Sequence, residues 1–468
     1  MSKPKVGFIS LFAGLYDSQD PTEKDKYLPF MHEIASAFEA QGVEPRMYPV
    51  CVHAEDVRKA VEDSEQNGAC AIVVLFLAYH PSLVSADTLS KTRLPLIFID
   101  TTMSYDFGFN TSPAMIGTCH GIHGLQDLCC VLRRLGKSYF IEAGHYIKSD
   151  VVARAADIAK VCQAAVCLKK SRIGIIGEPF ENMGDFALPL EEIEGLLGVK
   201  TVRLGRDDAA ILYDSINASE LANQIKRLDV VFSRGEGFDD KYMRLAAECT
   251  LTVKKWVERE NLDGFTFNFL DFNYDLGLPA VPFTAASLMM SEGYGYAGEG
   301  DVLTAAFTAA LMNIYPDSTF TEMFCPDWEG DTVFLSHMSE ANCQILMRPT
   351  QIKKSVPYVM AVNGGNMPGV SGAYKAGSAV LANLAPGKDG EFRLLLSPCE
   401  IIAPECGDAF GDCIRGWLKP EMSLEIFLKE YSIFGGTHHS CLCYGADPKI
   451  LKIFGELNGW NVRVLAAQ

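Results

Sequence analysis

Residues 171–177 read Ser171-Arg172-Ile173-Gly174-Ile175-Ile176-Gly177, a short apolar run closed by glycine. A run this short, rich in β-branched residues and bounded by a turn signal, suits a strand buried on both faces of a sheet. The same signature recurs upstream in Val6–Phe12, Ala71–Leu77 and Leu94–Ile99, and helical spacing of apolar residues intervenes at Tyr27–Gln41. Downstream, Val199–Leu204 and Val230–Phe232 read as further strands, and Asp239–Glu260 as one long helix. Strands alternating with helices imply parallel sheets covered on both faces. After about residue 313 the texture changes. Val333–Leu335, Tyr358–Val362, Ala379–Leu384, Phe392–Leu396 and a last strand at Val462–Leu465 are spaced by turn signals such as Asn363-Gly364-Gly365 and Pro386-Gly387. That pattern predicts a mostly antiparallel sheet or barrel. The expected fold class is therefore α/β: two doubly wound parallel-sheet (Rossmann-like) domains, at 1–170 and 171–312, followed by a β-rich, barrel-like C-terminal domain at 313–468.

The chain has 468 residues with 41 Lys+Arg and 59 Asp+Glu, a formal charge of −18. This excess of acid argues against a nucleic-acid partner and against docking on anionic lipid, both of which need clustered basic residues. The longest apolar runs, Ala69–Tyr79 and Leu94–Ile99, are too short to span a bilayer, so no membrane partner is expected. The chain begins MSKPKVGFIS and passes straight into a strand pattern, without the apolar stretch of an export signal. Its 15 cysteines are odd in number and scattered, which predicts reduced, buried thiols in a cytoplasmic protein. Neither Cys129-Cys130 nor Cys441-x-Cys443 has the paired spacing of a zinc site.

Gly293-Tyr294-Gly295-Tyr296-Ala297-Gly298 matches a dinucleotide fingerprint letter for letter. The preceding Phe283–Glu292 reads as helix rather than strand, and aromatic residues between the glycines would crowd a pyrophosphate, so the match is set aside. Gly298-Glu299-Gly300-Asp301, opening the apolar run Val302–Met312, carries more chemistry. Carboxylates at a helix start also serve as a cap, favoured by the helix dipole. Glu322 and His337, however, sit among apolar neighbours, and His438-His439 follows Gly435-Gly436-Thr437. A buried carboxylate needs a partner. A divalent cation held by two carboxylates and two imidazoles is one answer, and that mixed donor set suits Mn²⁺, Co²⁺ or Zn²⁺ better than Ca²⁺. A hydrogen-bonded core histidine and an ordinary glycine turn are the other readings of His337 and of the 435–440 segment.

Taken together, Gly293–Asp301, Thr319–Phe324, Leu335–Met338 and Gly435–Ser440 resemble the bacterial L-arabinose isomerase family and, more distantly, the L-fucose isomerases. Asp263–Asp271 (DGFTFNFLD), Ile122–Asp127 (IHGLQD), Ala143–Tyr146 (AGHY) and Gly177–Phe180 (GEPF) extend the resemblance over most of the chain in patches. It implies a metal-dependent aldose–ketose isomerase working through an enediol, with L-arabinose to L-ribulose as the default reaction. Glu299, Glu322, His337 and His439 would hold a divalent metal, usually Mn²⁺, with Glu299 and Glu322 also serving as base and acid. His123, reaching a neighbouring subunit's sugar, and Phe180, Phe269, Val302 and His438 would line the substrate. The assembly implied is a homotrimer or homohexamer with active sites between subunits. This chain departs from the family pattern at Val302, where a Trp is usual, and at Ala13-Gly14, which replace a Gln-His pair. Both changes make room for another aldose: L-fucose, another deoxyhexose, or a C6-modified hexose such as sulfoquinovose. A non-catalytic sugar-binding protein is the alternative from a different class, since tandem α/β domains also build such proteins.

Overall fold

Buried apolar strands alternate with amphipathic helices through the first half of the chain, and the computed structural model builds parallel sheets from them. It describes residues 3–271, 276–354, 367–405 and 407–467. Two compact units divide at residues 166 and 167.

In the first unit the strands are Lys5–Leu11 (β1), Glu44–Met47 (β2), Ala71–Phe76 (β3), Leu96–Asp100 (β4) and Phe140–Ala143 (β5). They form one parallel sheet in the order β2-β1-β3-β4-β5. The order reverses at β1, as in a doubly wound sheet with helices on both faces. The central β3 is buried at every position. Ile72, Val74 and Phe98 pack with Leu125, Leu128 and Leu132 of the helix Gly121–Arg134 on one face.

The second unit begins with Arg172–Ile176 (β6), Lys200–Arg203 (β7), the two-residue Ser233–Arg234 (β8), Gly264–Phe267 (β9) and Gly295–Gly298 (β10). Four of these form a second parallel sheet, in the order β10-β9-β6-β7. Gly174 is glycine because a Cβ there would lie 2.3 Å from the Trp256 ring, which the helix Asp240–Glu260 lays across the sheet. The helix Val302–Met312 is buried along its whole length, as expected of a helix apolar on every face.

The third sheet takes Ser318–Asp327 (β11), Thr332–Ser336 (β12), Gln351–Lys353 (β13), Gly369–Ala373 (β14), Gly377–Pro386 (β15), Phe392–Ile402 (β16), Ile414–Pro420 (β17), His439–Tyr444 (β18) and Asn461–Val464 (β19). With β8 it makes a ten-stranded sheet of order β19-β16-β15-β18-β11-β12-β17-β14-β13-β8, and an additional pairing joins β16 to β17, its second and seventh strands. The sheet is mixed, and among the described residues β19 and β8 are its end strands.

The expected strands at Val6–Phe12, Ala71–Leu77, Leu94–Ile99, Val333–Leu335, Ala379–Leu384, Phe392–Leu396 and Val462–Leu465 appear within a residue or two of their predicted bounds or inside longer strands. Val230–Phe232 does not form the predicted strand. A capping box joins Asn217 and Glu220 and starts a helix, Ala218–Val231, that runs through Val230. The expected strand at 358–362 and turn at 363–365 lie outside the described residues. Fourteen cysteines are described and none of them is in a disulfide; Cys441 and Cys443 Sγ stand 3.7 Å apart on one face of β18. Among the described residues, no helix is long and apolar enough to cross a membrane.

Candidate metal centre

In a doubly wound sheet, ligands meet the chain beyond the carboxyl ends of the strands. Three segments of the second unit emerge there: Gly177–Phe180 after β6, Asn268-Phe269 after β9 and Glu299 after β10. They are tied together, since Phe180 N–H donates to the Glu299 carbonyl at 3.0 Å and Asn268 Nδ2 donates to the Glu178 carbonyl at 2.9 Å. Glu299 has φ +63°, a left-handed backbone unusual for a residue with a side chain, and such outliers gather at functional sites. Gly300 follows at φ +83°, where a Cβ would lie 2.5 Å from Pro179 Cα. Only glycine allows the turn that aims Glu299 into the site.

The third sheet supplies the other donors by register. Glu322 on β11 pairs directly with His439 at the start of β18 and, across its other edge, with Ser336 at the end of β12. His337 follows Ser336. Opposed positions in a ladder have neighbouring side chains, so two turns and one sheet bring residues 322, 337 and 439 together.

Glu299, Glu322, His337 and His439 are all buried, and one ligand atom from each lies within 4.8 Å of every other. His439 Nε2 stands 3.0 Å from Glu322 Oε1 and 3.4 Å from Glu299 Oε2, and His337 Nε2 stands 3.3 Å from Glu322 Oε1. None of these contacts has hydrogen-bond geometry: Glu299 Oε2, Glu322 Oε1, His337 Nε2 and His439 Nε2 are buried without a partner. Orphaned polar atoms at that depth cost on the order of 1–3 kcal/mol each. Donors about 2.1 Å from one shared ion stand about 3–4.2 Å apart, close to the spacing observed. The donor set fits a divalent metal.

Both imidazoles are oriented from behind. His439 Nδ1 lies 2.8 Å from Asp301 Oδ2, while Asp301 Oδ1 accepts the Thr304 N–H at 2.9 Å and caps the helix Val302–Met312. His337 Nδ1 lies 2.7 Å from Glu340 Oε1, which also accepts the Tyr296 hydroxyl at 2.7 Å. A carboxylate on Nδ1 leaves Nε2 to ligate, the usual arrangement around metal-binding histidines. The Phe320 ring stands edge-on to both imidazoles, 4.8 Å from His337 and 4.9 Å from His439. Gly298 leaves the room His337 needs, for a Cβ there would come within 2.6 Å of its ring.

Burial would lower the basicity of His337, but the Glu340 and Glu322 carboxylates outweigh it and raise its pKa to about 10. His439 is raised well above its ordinary value against the same burial penalty, by Asp301, Glu299 and Glu322. Burial would raise the Glu299 carboxyl; the His438 and His439 rings and the charge on His337 overcome it and hold it at about 2. Glu322 falls well below the carboxylate range for the same reason, His337 contributing most after burial.

Of the other expected site residues, Phe180 and Phe269 lie edge to face with ring centres 5.0 Å apart, both buried beside the Glu299 turn. Val302 is the first residue of its helix and is buried. His438 is partly exposed, its Nε2 3.7 Å from Glu299 Oε2. His123 belongs to the first unit, exposed on the helix Gly121–Arg134, with its ring edge-on to His120 at 5.9 Å. His120 Nε2 in turn lies 2.9 Å from the Tyr16 hydroxyl. Sequence reasoning missed Glu340, Asp185 and Phe186, and took Asp301 only as a cap. The one available signal was the His337-x-x-Glu340 spacing.

Residues 192–316 match the L-arabinose isomerase central domain and residues 317–461 the L-arabinose isomerase C-terminal domain, together more than half of the chain. The chain is 25% identical to the L-arabinose isomerase of Geobacillus thermodenitrificans over 436 residues, covering 88% of this chain and 84% of that protein. It is 24% identical to that of Bacillus subtilis over 434 residues (88% and 84%) and 21% identical to that of Serratia proteamaculans over 430 residues (88% and 83%). An α/β chain with such relatives is an enzyme of the sugar isomerase class, an intramolecular oxidoreductase interconverting aldoses and ketoses. Within that class it belongs to the L-arabinose isomerase family, as a divergent member.

Proposed function

We propose that the protein converts L-arabinose to L-ribulose through an enediol, with Glu299, Glu322, His337 and His439 holding one divalent metal, Mn²⁺ by preference. The observation that carries this reading is the set of four buried donor atoms without partners, each imidazole already turned by a carboxylate behind it. A binding protein has no use for that arrangement. The ion, when bound, supplies a Lewis acid that polarises the sugar carbonyl.

Isomerisation moves one proton from C2 to C1 and another from O2 to O1. Glu299 and Glu322, both held below the usual carboxylate range in the metal-free protein, are ionised at neutral pH. One takes the C2 proton, exchanges it with solvent and delivers a proton to C1, and the other carries the hydroxyl proton between the two oxygens. Each ends as it began, so the cycle closes without a co-substrate. Phe180, Phe269 and Val302 form the apolar wall beside the sugar, and their burial shields the enediol from bulk water. His438 meets the sugar's hydroxyls. The further proposals are three domains at 1–170, 171–312 and 313–468, a homotrimer or homohexamer in which His123 serves a neighbouring subunit's site, and residence in the cytoplasm, which suits described cysteines that form no disulfide.

The test is Mn²⁺-loaded protein incubated with L-arabinose beside other pentoses, deoxyhexoses and C6-modified hexoses, with ketose scored by NMR. L-arabinose should show the highest kcat/KM. A higher value for another aldose would move the substrate and leave the chemistry, and no ketose from any sugar would end the reading.

A further inference from the structure

The turn that follows β6 carries Asp185 and Phe186, and these two consecutive residues meet the two consecutive histidines 438 and 439. Asp185 Oδ2 accepts the backbone N–H of His438 at 3.0 Å and lies 2.6 Å from the same residue's ring Nδ1. The Phe186 ring lies nearly parallel to that of His439, with centres 4.7 Å apart and planes 12° apart. From the other side, Asn383 Oδ1 accepts the Thr437 N–H at 3.1 Å and Asn383 Nδ2 donates to the His439 carbonyl at 2.6 Å. The main chain at His438 is therefore fixed, and one carboxylate oxygen ties the ring to that main chain.

An ion pair between two partly exposed side chains ordinarily contributes little. The double grip is different in kind, because an oxygen bound to both the backbone N–H and Nδ1 leaves the imidazole a single orientation. In that orientation Nε2 stands 3.7 Å from Glu299 Oε2, beyond hydrogen-bond reach, with the ring partly open to solvent. We propose that Asp185 is a positioning residue for the isomerase, holding His438 so that Nε2 meets a sugar hydroxyl bound beside Glu299. This rests on the sugar isomerase reading above.

The test compares Asp185→Ala, Asp185→Asn, His438→Ala and the double variant Asp185→Ala/His438→Ala, each loaded with Mn²⁺ and assayed on L-arabinose. Misplacing a substrate-contacting group costs on the order of tenfold or more. Asp185→Ala should raise KM about tenfold while kcat stays within about threefold and the Mn²⁺ content per chain is unchanged. Asp185→Asn should recover most of the loss, because the His438 backbone N–H turns the amide oxygen inward, where it can also accept from Nδ1. The double variant should be no worse than His438→Ala alone. Wild-type KM in Asp185→Ala, multiplicative costs in the double variant, or loss of Mn²⁺ from Asp185→Ala would each overturn the proposal. A sugar-free readout keeps it separate from the functional reading. In metal-free protein labelled with ¹⁵N-histidine, the His438 Nδ1 proton should resonate at low field, vanish in Asp185→Ala and persist in Asp185→Asn. If that pattern holds while no aldose is isomerised, the functional reading fails and the grip stands. If it is absent, the grip itself is refuted.

Discussion

Asp301→Asn isolates how a buried carboxylate prepares a ligand. In the wild type one oxygen caps the helix at the Thr304 N–H, 2.9 Å away, and the other faces His439 Nδ1 at 2.8 Å. A backbone N–H can only donate, so the asparagine amide must turn its oxygen to Thr304 and its NH₂ group to the imidazole. Nδ1 then becomes an acceptor and the proton of the neutral ring moves to Nε2, the atom that has to ligate. Asparagine and aspartate are comparable helix caps, so the fold should survive. Loss of a partner behind a ligating histidine typically weakens metal binding about 10–100-fold, or about 1.4–2.7 kcal/mol. Asp301→Ala should weaken binding similarly and lose in addition about 1 kcal/mol of stability with the cap. Calorimetric titration of metal-free protein with Mn²⁺, beside chemical denaturation, measures both quantities. An asparagine variant that binds Mn²⁺ within threefold of the wild type would refute the argument that Asp301 sets the tautomer of His439.

Glu299→Gln or Glu322→Gln should keep the fold and lower kcat by at least about 10²–10⁴-fold, the usual contribution of general acid–base catalysis; ketose formation near the wild-type rate would remove that residue from the proton transfer. Gly298→Ala should drive a methyl group into His337, whose Cε1 would lie 2.6 Å from the new Cβ. The expected outcome is a loss of about 1–3 kcal/mol in denaturation together with loss of Mn²⁺ from elemental analysis after dialysis, and unchanged metal content would contradict the packing argument. Metal binding should release protons, because His337, at about 10 in the metal-free protein, must give up its charge to ligate. Affinity should therefore climb as pH rises from about 6 to 9, and calorimetry in buffers of different ionisation enthalpy counts the protons. The same shifts set the stability of the metal-free protein. The contribution from His337 is complete below its ordinary 6.5 and is lost as pH rises through about 10, while that from Glu299 is present above 4.5 and lost as pH falls towards 2. Denaturation midpoints after EDTA treatment should peak between those limits, and a midpoint still rising at pH 9 would be the wrong sign.

The parallel sheets were legible because their strands are buried on both faces and leave unbroken apolar runs, as in Ala71–Phe76, whose residues are all buried. Val230–Phe232 misled because the last turn of an amphipathic helix and a short strand look alike, and the deciding signal, the Asn217–Glu220 capping box, lies a dozen residues upstream. The four donors could be chosen by residue type, apolar surroundings and family resemblance. Their convergence could not, since it depends on β11 pairing with β18 so that Glu322 opposes His439, a register no local pattern encodes. The residues behind them were harder still. Asp185 is 253 positions from His438, and only the folded chain shows that one oxygen holds both ends of that histidine.

The central claim, that a cation held by these four side chains makes a sugar's C2 hydrogen mobile, is tested most directly by running the reaction on L-arabinose in D₂O. Mn²⁺-loaded protein should yield L-ribulose carrying one deuterium at C1, EDTA treatment should stop it, and added Mn²⁺ should restore it. Ketose formed at the same rate by the metal-stripped protein, or ketose with no solvent deuterium at C1, would contradict the account.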